Sequence, residues 1–318
     1  MNFDMIKFKT LTKLTMLQIA MVFFVFIGLI FLTQFNPHPL QNPLGGLIYS
    51  VILSLLILLF LLMLLINKKP QKIADIFTVL IVLFIAWEIV TRFNLVDIVV
   101  LPPPGQVFEV YGEDYGDILF GVVSSLSVLL SGYGLAILIA IPLGLIVAYK
   151  KRLYEFVYPI SKGFGPIPPM VYIPYAIVLL PSLFLSSVFV LFIGAFWPLL
   201  IGVISGVLNI DEKYVNSAKT LGLSDWTMIK KILLPAAMPH IFQGAFISLI
   251  ISFITLLVAE VIGSSAGIGW YLQHNAQFAR YDAIIAGMIV ISIMVIVIAT
   301  IFDKIQSHVL KWQKKAEF

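Results

Sequence analysis

Residues 47–66 read LIYSVILSLLILLFLLMLLI, twenty residues without one charged side chain. A bilayer hydrocarbon core about 30 Å thick is crossed by about 20 apolar residues in helical form. The stretch is therefore a membrane span, and it sets the class in which the rest of the chain is read. The composition agrees. Of 318 residues 61% are hydrophobic, and the mean hydropathy is +1.06, whereas soluble domains are about 45–50% apolar.

Working outward, seven further runs have the same character: 16–35, 75–92, 118–148, 163–181, 183–208, 240–262 and 283–302. The expected fold is all-α and polytopic, with about eight transmembrane helices. Run 118–148 has 31 residues and no charge. As a helix it spans about 46 Å at ~1.5 Å per residue, so it has to tilt, bend at Pro142 or protrude. Run 163–181 carries Pro166, Pro168, Pro169 and Pro174, which break helix regularity. Such backbone survives at membrane depth only when protein covers it or water faces it. Run 16–35 is too long for the apolar region of a signal peptide, and no small-residue cleavage site follows in TQFNPHPL at 33–40. It is expected to be retained.

Lys and Arg set the orientation. Eighteen of the 20 basic residues fall before the first run, between runs two and three, four and five, and six and seven, and after the last. Only Arg92 and Arg280 fall on the opposite side, with Asp97, Glu109, Glu113, Asp114, Asp117 and Asp282. Both termini are expected in the cytoplasm. So are 67–74, 149–162 and 209–238, while 36–46, 93–117 and 263–282 are expected outside. The net charge of +4 is then a topology signal, and no nucleic-acid partner is implied. Two blocks follow: a transmembrane hairpin over 1–70, and six spans over 71–318.

Enzyme chemistry finds no foothold. The chain has no cysteine, no G-x-x-x-x-G-K-[ST] nucleotide loop and no H-E-x-x-H zinc motif. His38, His240, His274 and His308 are scattered, without the convergent partners that metal ligands need. SSAGIG at 264–269 lacks the strand and helix of a dinucleotide loop and reads as a turn. No catalytic residue, cofactor or metal is expected.

The most polar stretch between spans is NIDEKYVNSAKTLGLSDWTMIKKILLP, residues 209–235, with seven charges in 27 residues. Tyr214, Val215, Ala218 and Leu221 recur at helical spacing from Glu212 to Leu221. Gly222 follows at the position that favours left-handed geometry. Ser224 suits the cap of a second short helix carrying Trp226, Ile229 and Leu233 on one face, with Pro235 and Pro239 marking its end. On these residues alone two readings stand. One is a solvated loop with a helix on the lipid surface. The other is a docking knob for a soluble partner, with Ser217 and Ala218 small enough for close approach.

Several motifs in order resemble the permease subunits of ABC importers. That family carries E-A-A-x-x-x-G, nine residues, then I-x-L-P. Here Asn216-Ser217-Ala218 is followed at the same spacing by Gly222 and by Ile232-Leu233-Leu234-Pro235. Asn216 stands where the family has Glu, and Ser217 where it has Ala. LPPPGQVF, AIPLGLIVAYKK, LVAEVIGSSAGIGWYL and VNSAKTLGLSDW are similar to the branch that includes nitrate, sulfonate and taurine permeases. The likeness covers roughly 75–310.

It implies a pathway-forming subunit for a small solute in a prokaryotic inner or plasma membrane. It also implies a second permease copy in a homodimer, two cytoplasmic ABC ATPase chains and an external substrate-binding protein. The coupling residues would be Asn216, Ser217, Ala218, Leu221, Gly222 and Pro235. The hairpin 1–70 departs from the six-span pattern and is expected at the periphery, facing membrane lipid. The alternatives are an ATP-independent secondary transporter, which needs ionisable residues near the bilayer midplane, and a membrane enzyme.

Few charges lie inside spans, and such charges are functional candidates by default. Glu88 stands four residues before Arg92, the spacing of a helical ion pair. Glu260 has no charge within a turn. With Gly263 it is the translocation-pathway candidate, expected in water at the outer mouth, with Gly263, Gly267 and Gly269 giving a mobile turn.

Overall fold

The computed structural model describes residues 13–35, 38, 42–66 and 69–312, and all regular structure among them is helical. The helices are α1 (Lys13–Phe35), α2 (Pro43–Ile66), α3 (Pro70–Arg92), α4 (Pro104–Glu113), α5 (Tyr115–Tyr149), α6 (Lys151–Phe164), α7 (Ile173–Leu179), α8 (Leu183–Leu208), α9 (Glu212–Thr220), α10 (Asp225–Met228), α11 (Leu234–Gly263), α12 (Ile268–Gln277) and α13 (Tyr281–Val309). A 3-10 turn, Pro169–Tyr172, leads into α7, and a π turn, Ile229–Leu233, joins α10 to α11. Of the expected turn regions, residues 36, 37, 39–41, 67 and 68 lie outside the described residues, as do 1–12 and 313–318.

Among the described residues seven helices are long and apolar enough to cross a bilayer: α1, α2, α3, α5, α8, α13 and the continuous run Asp225–Gly263. The expected eighth, 163–181, is not one helix. Pro166, Pro168 and Pro169 bring no N–H, so three donors are missing from the helical ladder within four residues. The chain instead leaves α6 at Phe164, runs irregularly to the 3-10 turn and resumes in α7. Pro142 does not interrupt the 35-residue α5. Nor do Pro235 and Pro239 end a helix as expected. Pro235 follows directly on the π turn inside the continuous run Asp225–Gly263, and α11 continues through Pro239.

Two compact units emerge. One holds the described residues up to Tyr115 with Asn275–Ala286; the other holds Gly116–His274 and the chain from Gly287. In the first, α2 clasps α4. A Cβ on Gly45 would lie 2.6 Å from the Gly105 carbonyl oxygen. Tyr49 stacks on Phe108 with ring centres 5.3 Å apart, and Asn42 Nδ2 donates to Glu109 Oε1 at 2.9 Å. The Glu88–Arg92 pair forms as its spacing predicts, at 2.8 Å. Arg280 pairs with Asp114 at 3.2 Å and lies 3.7 Å from Glu113.

In the second unit α8 and α11 meet along a seam of small residues. A Cβ on Gly202 would lie 2.8 Å from Gly244 Cα, and one on Gly206 would lie 2.8 Å from His240 Cβ. Ser248 Oγ, on α11, donates to the Ala195 carbonyl of α8 at 2.9 Å. Lipid tails are as apolar as leucine, so close van der Waals contact and hydrogen bonds hold such helices together. Gly244→Leu is expected to wedge the seam open, because the obstacle is backbone that cannot swing aside. Overpacking of this kind costs about 1–3 kcal/mol. The readout is loss of monodisperse protein after detergent extraction. Gly134→Leu, at an α5 site with nothing within 4 Å of its Cβ, should be extracted like the unchanged chain.

Candidate functional site

The helix, glycine turn and helix of 209–235 form as the sequence predicts. Asp211 Oδ1 accepts the Lys213 N–H at 2.9 Å and caps α9. At its other end Gly222 has φ +67°. The Leu223 N–H reaches back to the Ala218 carbonyl at 3.4 Å and the Gly222 N–H to that of Lys219 at 3.0 Å, a closure that requires left-handed backbone. Ser224 then caps α10, accepting from the Thr227 N–H at 3.4 Å.

The elbow is tied to the end of α5. The Tyr149 hydroxyl donates to Asp225 Oδ1 at 2.7 Å, and the Lys150 ammonium donates to the other Asp225 oxygen. That hydrogen bond raises the Lys150 pKa above its usual value. The pair is exposed and contributes little stability, but it fixes where α10 starts.

The elbow separates the expected coupling residues by environment. Asn216, Ser217, Leu221, Gly222 and Pro235 face outward. Ala218 does not: it is 3% exposed, in the core that also holds Met228, Leu233 and Val207. Its small size serves packing within this chain. Trp226 also departs from expectation. Ile229 and Leu233 are buried, whereas Trp226 is 67% exposed and Met228 takes the inward place. Three large apolar side chains, Tyr214, Leu221 and Trp226, are left on the outside of an otherwise polar elbow. Local periodicity gave no hint that Tyr214 and Trp226 would be exposed, because it assigned both to the packed face. Tyr149 and Lys150 carried no signal either, being about 75 residues away along the chain.

Glu260 is enclosed. It is 1% exposed, contrary to the expected hydrated position. Ser125 Oγ, on α5, donates to Glu260 Oε1 at 2.6 Å, and the Gly269 N–H donates to Oε2 at 2.8 Å. Ser125 Oγ in turn accepts the Ile268 N–H at 2.9 Å. Gly269 is the second residue of α12, so the carboxyl group sits among the free N–H groups at the positive end of that helix.

The glycines are there for closeness, not motion. Gly267 has φ +112°, and a Cβ on it would overlap the Glu260 carboxyl group; one on Gly269 would lie 2.8 Å from Glu260 Cβ. Gly263 packs elsewhere, on α7, where a Cβ would lie 2.7 Å from Ile177 Cδ1. No group of three or more His, Cys, Asp or Glu suited to a metal occurs among the described residues.

Residues 140–315 match the family described as the binding-protein-dependent transport system inner membrane component. The chain is 26% identical over 245 residues to the taurine transport system permease protein TauC of Escherichia coli, covering 75% of this chain and 89% of that one. It is 28% identical over 246 residues to the nitrate import permease protein NrtB of Synechocystis, covering 74% and 88%. Its fold is similar to that of the inward-facing MetNI methionine ABC transporter, with a TM-score of 0.56, 21% identity and coverage of 62% of this chain and 98% of the other. The polar elbow between long apolar helices, the small-residue seam and the match over 140–315 agree, and the chain belongs to the inner membrane components of binding-protein-dependent transport systems, as a multi-pass permease subunit of an ABC importer.

Proposed function

We propose that this permease takes its driving force from separate ATPase chains that dock on the elbow of α9 and α10. The reading rests on one observation: Tyr214, Leu221 and Trp226 are exposed on a polar loop beside Asn216, Ser217 and Gly222. Exposed apolar side chains grouped within a polar rim suit a protein partner. The chain itself hydrolyses nothing. Its partners are two cytoplasmic ATPase chains, a second copy of this permease, an external binding protein that delivers a small solute, and membrane lipid around the outer helices.

Both termini and 209–238 lie in the cytoplasm, in keeping with the basic residues. The hairpin 1–70 is an addition to the six-span core of 71–318. Glu260 and Gly263 serve the pathway through what they hold, the former gripping the start of α12 and the latter seating α7.

Trp226→Ala with Leu221→Ser is expected to lower the ATPase recovered with the affinity-purified permease at least tenfold, with membrane insertion unchanged. Uptake that persists without the ATPase would favour a secondary transporter instead. The chain has no cysteine, so Asp225→Cys provides a unique thiol. Its labelling by an impermeant reagent in intact cells would invert the topology.

A further inference from the structure

Charge stops on α3 at Asp75, since residues 76–87 that follow carry none. Asp75 lies about 7.5 Å along the axis from the first residue of α3 at ~1.5 Å per residue. That is the level at which the polar heads of a bilayer give way to its hydrocarbon. The helix has two faces. Ile73, Ala74, Phe77 and Ile81 are buried, with Phe77 against the rings of Phe26 and Phe60 of the hairpin. Lys72, Asp75, Val79 and Val82 follow one another at helical spacing along a single stripe, and all four are exposed.

Asp75 is held in place on this stripe. Gln18 of α1 donates from Nε2 to Asp75 Oδ1 at 2.9 Å and to Thr78 Oγ1 at 3.0 Å. Thr78 Oγ1 donates its own hydrogen to the Ala74 carbonyl at 2.7 Å. One carboxylate oxygen is thus fixed by an amide from a different helix, and no described residue bonds the other. Lys72 stands one turn nearer the helix start, about 4.5 Å of rise away, yet the two form no ion pair. A carboxylate fixed at the edge of hydrocarbon is costly unless a cation meets it.

Read inward from the helix start, the stripe is positive, then negative, then apolar. A zwitterionic phospholipid matches that order with its phosphate, its ammonium and its acyl chain. An anionic head would suit Lys72 but be repelled by Asp75. A quaternary choline head brings no N–H, whereas a primary ammonium brings three. We infer that α1 and α3 form a binding site for one phospholipid of the ethanolamine class. Its ammonium donates to Asp75 Oδ2, its phosphate meets Lys72, and a chain lies along Val79 and Val82. This narrows the membrane-lipid partner proposed above to one head chemistry at one place. It also gives the added hairpin a task, because Gln18 presents the carboxylate.

The test uses the intact importer, its ATPase included, in nanodiscs of choline phospholipid with equal minor amounts of ethanolamine and glycerol phospholipids. After exchange into detergent, the lipid that stays with the protein is counted by mass spectrometry. Ethanolamine lipid should stay in preference to both others, a result that needs no variant. Asp75→Asn keeps the shape and should lower that retention about tenfold, the worth of one hydrogen bond to a charged group. Gln18→Leu should lower it as well. Asp303→Asn, at an exposed carboxylate near the end of α13, should leave it unchanged. Equal retention by the unchanged chain and Asp75→Asn, or a preference for glycerol lipid, would overturn the inference. So would a protein chain captured in native membranes by a photoreactive residue at position 79, which would assign the stripe to a partner helix. Retention of no phospholipid of any head would also remove the lipid contact proposed above.

Discussion

Gly267→Ala is expected to abolish the assembled permease. Gly267 holds φ +112°, and a Cβ there would overlap the carboxyl group of Glu260. A non-glycine residue in left-handed backbone costs about 1–2 kcal/mol. The clash adds more, because Glu260 cannot move away without giving up its hydrogen bonds to Ser125 and the Gly269 N–H. Each polar group left buried and unpaired costs about 1–3 kcal/mol. These terms together approach the whole stability of an ordinary domain, about 5–15 kcal/mol. Immunoblots of membranes should show little full-length protein. Glu260→Gln keeps the shape and is expected to assemble. Normal levels of the Gly267→Ala permease would mean that the loop before α12 opens at little cost.

Gly222→Val should act on coupling and spare the fold. Nothing lies within 4 Å of the site where a Cβ would stand, so there is no clash to destabilise the core. The strain is in the backbone alone, at φ +67°, and is severe for a β-branched residue. Relief would come from opening the turn, which breaks the Leu223-to-Ala218 and Gly222-to-Lys219 hydrogen bonds and changes the angle between α9 and α10. The variant should insert and purify normally. Its solute-stimulated ATP hydrolysis should fall tenfold or more. Unchanged stimulated hydrolysis would remove the elbow from the coupling path.

The elbow was legible because its signals are local. A cap, a left-handed glycine and a second cap act over three or four residues, and each formed where its residue type predicts. The long spans were legible for the same reason, since each run of uncharged residues meets the requirement of the bilayer by itself. What escaped was everything set by contact across the chain. Periodicity grouped Trp226 with Ile229 and Leu233, of which the fold buries only the last two, and the docking reading set Ala218 outside although the rest of the chain covers it. The prolines of 166–174 signalled a break. How deep the break lies depends on Gly194 and Trp197 of α8, which meet Pro169 and Phe164 and which no local pattern connects to it.

Glu260 shows the division most clearly. An isolated carboxyl group near a glycine-rich turn is compatible, residue by residue, with a hydrated mouth. Only the fold brings Ser125 to it from 135 positions away and aims the Gly269 N–H at it, and it does so through glycines that let the backbone close to contact distance. Sequence by itself determined the all-helical, membrane-crossing class and the helix–glycine–helix elbow, because hydrophobic length and capping are properties of short segments. Tertiary structure decided which face of each segment is buried, because burial depends on what the rest of the chain places opposite.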